Sequence, residues 1–144
     1  YLLTRSIKTL SVRMKRHNEN AIAVSNYLSN HPKIEKVFFP GNDKRHKEIA
    51  EKQMDGFGGM MSFVIDSDIN GVKTFLKNLN LFTLAESLGG VESLIEHPAI
   101  MTHASIDPSI REKLGISETL LRISVGIEDV DDLISDLDQA LSKI

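Results

Sequence analysis

The chain has 144 residues, 41% of them apolar and 26% charged, with a formal net charge of −3. That is a one-domain length with enough apolar material for a proper core, and its scattered Lys and Arg give no basic footprint for nucleic acid. Cysteine is absent, which excludes disulfides, thiolate metal sites and thiol nucleophiles built from these residues. It also fits a reducing, cytoplasmic setting.

Leu3, Ile7, Leu10, Met14, Ala21, Val24 and Leu28 recur at steps of three and four, with His17 filling one slot. The spacing predicts one long helix of about eight turns over residues 1–30, ended by His31-Pro32. His17 is expected at the core edge with one hydrogen-bond partner. A helix pattern at full strength from the second residue, with no leader before it, leads us to expect a piece of something longer. No apolar run nears the roughly 20 residues of a membrane span.

"IEKVFF" alternates and is rich in strand formers, so it predicts a strand closed by Pro40-Gly41-Asn42. "DKRHKEIAEKQM" predicts a short polar helix capped by Asp43, and "MMSFVID" a second strand. Asp68 or Ser67 caps a helix carrying Val72, Phe75, Leu76 and Leu79 at helical spacing. "LFTLAES" predicts a third strand and "PSIREKLG" a short helix with Pro108 in its first turn and Gly115 at its end. "TLLRISV" predicts a fourth strand. The chain closes on an amphipathic helix with Val130, Leu133, Ile134, Leu137, Leu141 and Ile144 on one face. Residues 85–107 are too long and irregular for a βαβ crossover. The expected class is therefore α+β: a small, mostly antiparallel sheet with helices on one face.

In the fourth strand Leu121, Ile123 and Val125 share one face and Leu120, Arg122 and Ser124 the other. Arg122 is then either an arginine on a solvated face or a guanidinium fork aimed at a substrate carboxylate. "ESLGG" places the Ser87 hydroxyl at a strand end, before glycines that let backbone approach a ligand, or simply form a turn. Glu86 is a rim carboxylate or a contact for a substrate amine. "GFGG" lacks the spacing and lysine of a phosphate cradle. Of five histidines only His97 and His103 lie close in sequence, in no metalloprotease frame, so loop and structural roles are expected and no metal.

The strings "LFTLAESLGGVESLIEHPAIMTHASI" and "LGISETLLRISVGIEDVDDLISDLDQAL" resemble the C-terminal domain of the cystathionine γ-lyase and γ-synthase family. These are the pyridoxal-phosphate (PLP) enzymes of cysteine and methionine metabolism. "IKTLSVRMKRHNENAIAVSNYL", "IEKVFFPG" and "GFGGMMSFVI" continue the likeness, which covers residues 1–144 in order. The resemblance implies the smaller α+β domain of an aspartate-aminotransferase-like (fold type I) enzyme. It implies that Ser87 and Arg122 bind the substrate α-carboxylate and that Glu86 faces the distal part of the substrate, tilting the choice toward cystathionine.

It also implies PLP in the full-length enzyme, held as a Schiff base by a lysine of a large domain absent from this chain. Lys8 resembles the family's later "GLKTL" helix instead, with Ser6 in place of its glycine. No catalytic, cofactor-binding or metal-binding residue is therefore expected here, nor bound PLP, and the isolated chain is expected to be inactive. The implied activity is γ-lysis of cystathionine to cysteine, 2-oxobutanoate and ammonia, or γ-synthesis from activated homoserine and cysteine, in a cytoplasmic homotetramer. The alternatives are a methionine γ-lyase or acylhomoserine sulfhydrylase domain, or a non-catalytic module of the same ancestry that self-associates.

Overall fold

The structure is a computed structural model that describes residues 1–42 and 44–144, and the side chains of all of these but 44–46. The expected Asp43 cap lies outside the described residues. In chain order the elements are α1 (Leu2–Ile7), α2 (Leu10–Ser29), β1 (Ile34–Phe38), α3 (Lys44–Gln53), β2 (Met60–Ile65) and α4 (Ile69–Asn78). There follow β3 (Thr83–Leu84), β4 (Leu94–Glu96), α5 (Pro108–Lys113), β5 (Leu120–Ser124) and α6 (Val130–Leu141).

The five strands form one sheet in the order β1-β2-β5-β4-β3, with β5 in the middle. Its pairings are antiparallel apart from β3 with β4. The class is α+β, as expected. Period-two alternation sends Met61, Phe63 and Ile65 of β2, Ile95 of β4, and Leu121 and Ile123 of β5 to one face. There they join Ala21, Val24 and Leu28 of α2, Val72 and Phe75 of α4, and Leu133, Leu137 and Leu141 of α6 in one core. Phe63 meets Phe75 edge-on with ring centroids 6.2 Å apart. Each such side chain, fully buried, contributes about 1.5–3 kcal/mol.

Helix starts follow local chemistry. The Asp68 carboxylate accepts from the Asn70 and Gly71 amides at α4, and Asp129 from the Asp131 amide at α6. Asp107 does the same for Ser109 ahead of Pro108 in the first turn of α5, and Gly115 follows that helix at φ 77°.

Three expectations are corrected. The leading helix is broken between α1 and α2, because the Thr9 hydroxyl and the Arg13 guanidinium both take the Ser6 carbonyl that a continuous helix would use. Its apolar stripe is also only half buried. Ala21, Val24 and Leu28 are sealed in the core, whereas Leu3, Ile7, Leu10 and Met14 lie in the exposed range. The buried positions of α2 begin at His17. Finally, the third expected strand shrinks to Thr83–Leu84, and the "irregular" stretch holds β4, all three of whose residues are buried.

One polar residue fixes the approach to β3. Asp136 sits on the buried side of α6, and its carboxylate accepts from the amides of Asn80 (2.8 Å), Leu81 (2.8 Å) and Phe82 (3.2 Å). Burial pushes its pKa up, but these amides, with the Gln139 side chain, outweigh that and hold it below the ordinary carboxylate value.

Candidate functional site

The sheet face turned away from the helices carries the polar groups. Arg122 lies on β5 with Ser62 of β2 opposite it on one side and Glu96 of β4 on the other. Its side chain is 29% exposed, and its Nη2 pairs with Glu96 Oε2, on a carboxylate only 1% exposed. The Thr102 hydroxyl donates to Glu96 Oε1 and lies 2.7 Å from His103 Nδ1. Among the described residues nothing accepts from Arg122 Nε or Nη1. Arg122 is thus neither a freely solvated arginine nor one with every donor committed.

Ser124, two residues along the same face, accepts a 2.9 Å hydrogen bond from the Gly89 amide. That bond docks the loop carrying Glu86 and Ser87 over this face. Gly89 has φ 74°, a left-handed conformation suited to glycine. The far end of the loop is tied more tightly. The Ser93 amide and hydroxyl donate to the two Glu128 oxygens at 2.6 and 2.9 Å, and the Gly126 amide donates to Ser93 Oγ at 2.8 Å. Gly126 has no room for a side chain, since a Cβ would strike the backbone of Val91 and Glu92. Glu86 and Ser87 themselves are exposed, and no hydrogen bond among the described residues joins either to Arg122.

Beside the loop lies an apolar cleft of about 330 Å³ lined by Met14, His17, Phe57, Met60, Leu88 and Ser124, among others. His17 is buried there with one partner, the Val125 carbonyl at 2.6 Å from Nδ1, as its place on the stripe predicts. Nδ1 therefore carries the proton, and Nε2 has no partner among the described residues. His97 is held through Nε2 by the Glu118 carbonyl at 2.8 Å, and its burial lowers its pKa. Among the described residues no three His, Asp or Glu side chains gather as a metal site.

The sequence reading did not single out Glu96, Thr102, Ser93 or Glu128. For Glu96 a signal was present: a carboxylate ending the apolar run Leu94-Ile95 needs a partner if that run is buried.

A sequence model of the family described as Cys/Met metabolism PLP-dependent enzyme matches residues 1–142. The chain belongs to this family. Among curated family proteins it is 54% identical over 145 aligned positions to cystathionine gamma-lyase of Dictyostelium discoideum, covering 99% of this chain and 37% of that one. It is 52% identical to cystathionine beta-lyase of Lactococcus lactis subsp. cremoris, covering 99% and 38%. Among solved family structures, cystathionine gamma-lyase from Lactobacillus plantarum, complexed with L-serine, superposes with a TM-score of 0.93 at 46% identity, over 99% of this chain and 38% of that one. Cystathionine gamma synthase from Xanthomonas oryzae pv. oryzae, in complex with cystathionine, gives 0.91 at 46%, over 96% and 36%. The chain thus spans a little over a third of the length of these family members.

The family's cofactor can be tested against the lysines. Among the described residues every lysine side chain is exposed except that of Lys33. Lys33 is committed to the Leu141 and Ile144 carbonyls at the end of α6. None is a sheltered amine of the kind that forms an imine readily, so these residues do not fit the covalent anchor of PLP.

Proposed function

We propose that this chain is the substrate-side domain of a PLP-dependent transsulfuration enzyme that cleaves or makes cystathionine, and that its task is to hold the substrate's α-carboxylate. The observation that supports this most is Arg122: a half-buried guanidinium on the central strand, with Nε and Nη1 uncommitted among the described residues. It shares its face with Ser124, to which the Ser87 loop is bonded. A guanidinium binds a carboxylate through two parallel N–H donors, one of the two Nη2 protons with its neighbour on Nε or Nη1, which lysine cannot do. In this reading Ser87 adds a hydroxyl to the same carboxylate, and Glu86 meets the distal end of the substrate. The PLP-anchoring lysine belongs to the large domain that we infer for the full-length enzyme, where the cofactor supplies the electron sink.

Holding the carboxylate fixes how the substrate's Cα is presented, and such positioning is worth several kcal/mol. In the full-length enzyme, Arg122→Lys is expected to raise KM for cystathionine at least tenfold and to lower kcat. Values within about twofold of wild type for both would refute the clamp. The relatives widen the reaction beyond γ-lysis and γ-synthesis, because cystathionine beta-lyases match as well as gamma-lyases do. Product analysis, 2-oxobutanoate with cysteine against pyruvate with homocysteine, separates the two eliminations. A self-associating, non-catalytic module is the second reading. The exposed Leu3, Ile7, Leu10 and Met14 favour it, and a monomeric sedimentation profile of the chain would dismiss it.

A further inference from the structure

We infer that Glu96 is the positioning residue of the carboxylate site, setting the guanidinium of Arg122 through a hydrogen-bonded chain that runs from His103 through Thr102. This inference rests on the clamp reading of Arg122. Glu96 stands directly across the β4–β5 ladder from Arg122, where cross-strand side chains are near neighbours. Its carboxylate is buried, and it holds Arg122 through Nη2. Its other oxygen takes the proton of the Thr102 hydroxyl. That hydroxyl has one proton to give, so at 2.7 Å the contact with His103 requires Nδ1–H of the imidazole to donate to Thr102 Oγ1. Every link then has a defined sense: imidazole donates to hydroxyl, hydroxyl donates to carboxylate, and the carboxylate is ion-paired with the guanidinium.

A buried ion pair is a weak device for stability, since apolar residues of the same volume often serve as well or better. What the pair supplies is orientation. An unpartnered arginine head samples many rotamers, and a partner that is itself pinned holds it in one pose. Glu96 faces Nη2, which carries two protons, so the second of them, with the N–H beside it on Nε or Nη1, stays available for an incoming carboxylate.

Thr102 is exposed, and Thr102→Ser keeps its hydroxyl, so Thr102→Val and Thr102→Ser separate loss of the hydrogen bond from loss of the methyl group. The test compares Thr102→Val, Thr102→Ser, Glu96→Gln and Arg122→Lys in the full-length enzyme, with KM and kcat for cystathionine as readouts. The Arg122 Nε–Hε resonance of the 144-residue chain gives a second readout that is independent of the cofactor. We expect Glu96→Gln to raise KM about tenfold and Thr102→Val about threefold, with kcat within twofold in each. Thr102→Ser should restore the wild-type KM, and the resonance should broaden in Thr102→Val and Glu96→Gln but not in Thr102→Ser. If Arg122→Lys raises KM tenfold while Glu96→Gln and Thr102→Val stay within 1.5-fold and the resonance is unmoved, the positioning role is overturned and the clamp stands. A KM that falls in Glu96→Gln also overturns it, because the glutamate would then compete with substrate. If Arg122→Lys itself is neutral, the clamp fails and this role with it. Should Glu96→Gln not fold, the Val and Ser pair at Thr102 decides alone.

Discussion

Removing the Asp136 carboxylate tests how the route into the site loop is held. Three consecutive amides, those of Asn80, Leu81 and Phe82, point at its two oxygens. In Asp136→Ala, water can reach Asn80 and Leu81, which are exposed, whereas Phe82 is only 3% exposed. One orphaned buried amide costs about 1–3 kcal/mol, and each lost bond to a charged group a further fraction of about 1.5–3. We therefore expect a loss of about 3–4 kcal/mol, a large part of a typical domain stability of about 5–15 kcal/mol. Asp136→Asn keeps one acceptor oxygen and should lose about 2 kcal/mol. Urea unfolding followed by circular dichroism reads both as a lower midpoint at unchanged slope.

The pH dependence gives the sign independently. Because the folded-state pKa of Asp136 is lowered, its charged form is favoured by folding. The advantage of wild type over Asp136→Asn is thus full above about pH 5 and shrinks as pH falls through the ordinary value of about 3.9 and below. Losses under 0.5 kcal/mol in both variants, or a wild-type advantage equal at pH 7 and pH 3, would refute the reasoning.

Other outcomes follow from packing. Gly126→Ala forces a methyl into the Val91–Glu92 backbone and should cost about 2–3 kcal/mol. Gly89→Ala meets no atom within 4 Å but keeps a left-handed φ, so about 1–2 kcal/mol is expected; thermal melts in the reverse order would contradict this. Phe63→Ala empties the contact with Phe75 at the centre of the core and should lower stability by about 3–5 kcal/mol in urea titrations. Lys33→Met removes a cation from the Leu141 carbonyl that ends α6 and from the Ile144 carbonyl beyond it, and a melt should register about 1 kcal/mol.

Much of this was readable before any coordinates. Alternation located β2 and β5, and spacing located α4 and α6, because each buries an apolar face; β1 was legible from its strand-forming residues, although none of them is buried. The side of β5 on which Arg122 projects followed from the same period. What escaped were features set by distant partners. β4 is buried on both faces, so Leu94-Ile95-Glu96 shows no alternation, and its glutamate makes sense only opposite an arginine 26 positions later. Asp136 breaks the apolar face of α6 for the sake of backbone amides more than 50 residues earlier in the chain. The interruption after α1 depends on a threonine and an arginine capturing one carbonyl, a competition that a periodicity count does not register.

The placement of β5 between β2 and β4 has a mechanical consequence. Arg122 rides on an anvil, a strand laddered on both sides, whereas Ser87 rides on a loop strip tethered at Gly89. Amide exchange should therefore be slowest across Leu120–Ser124 and quick across residues 86–88. In the proposed clamp, one unyielding surface and one pliable strip would let the site close on ligands of unequal girth without re-forming the sheet beneath them.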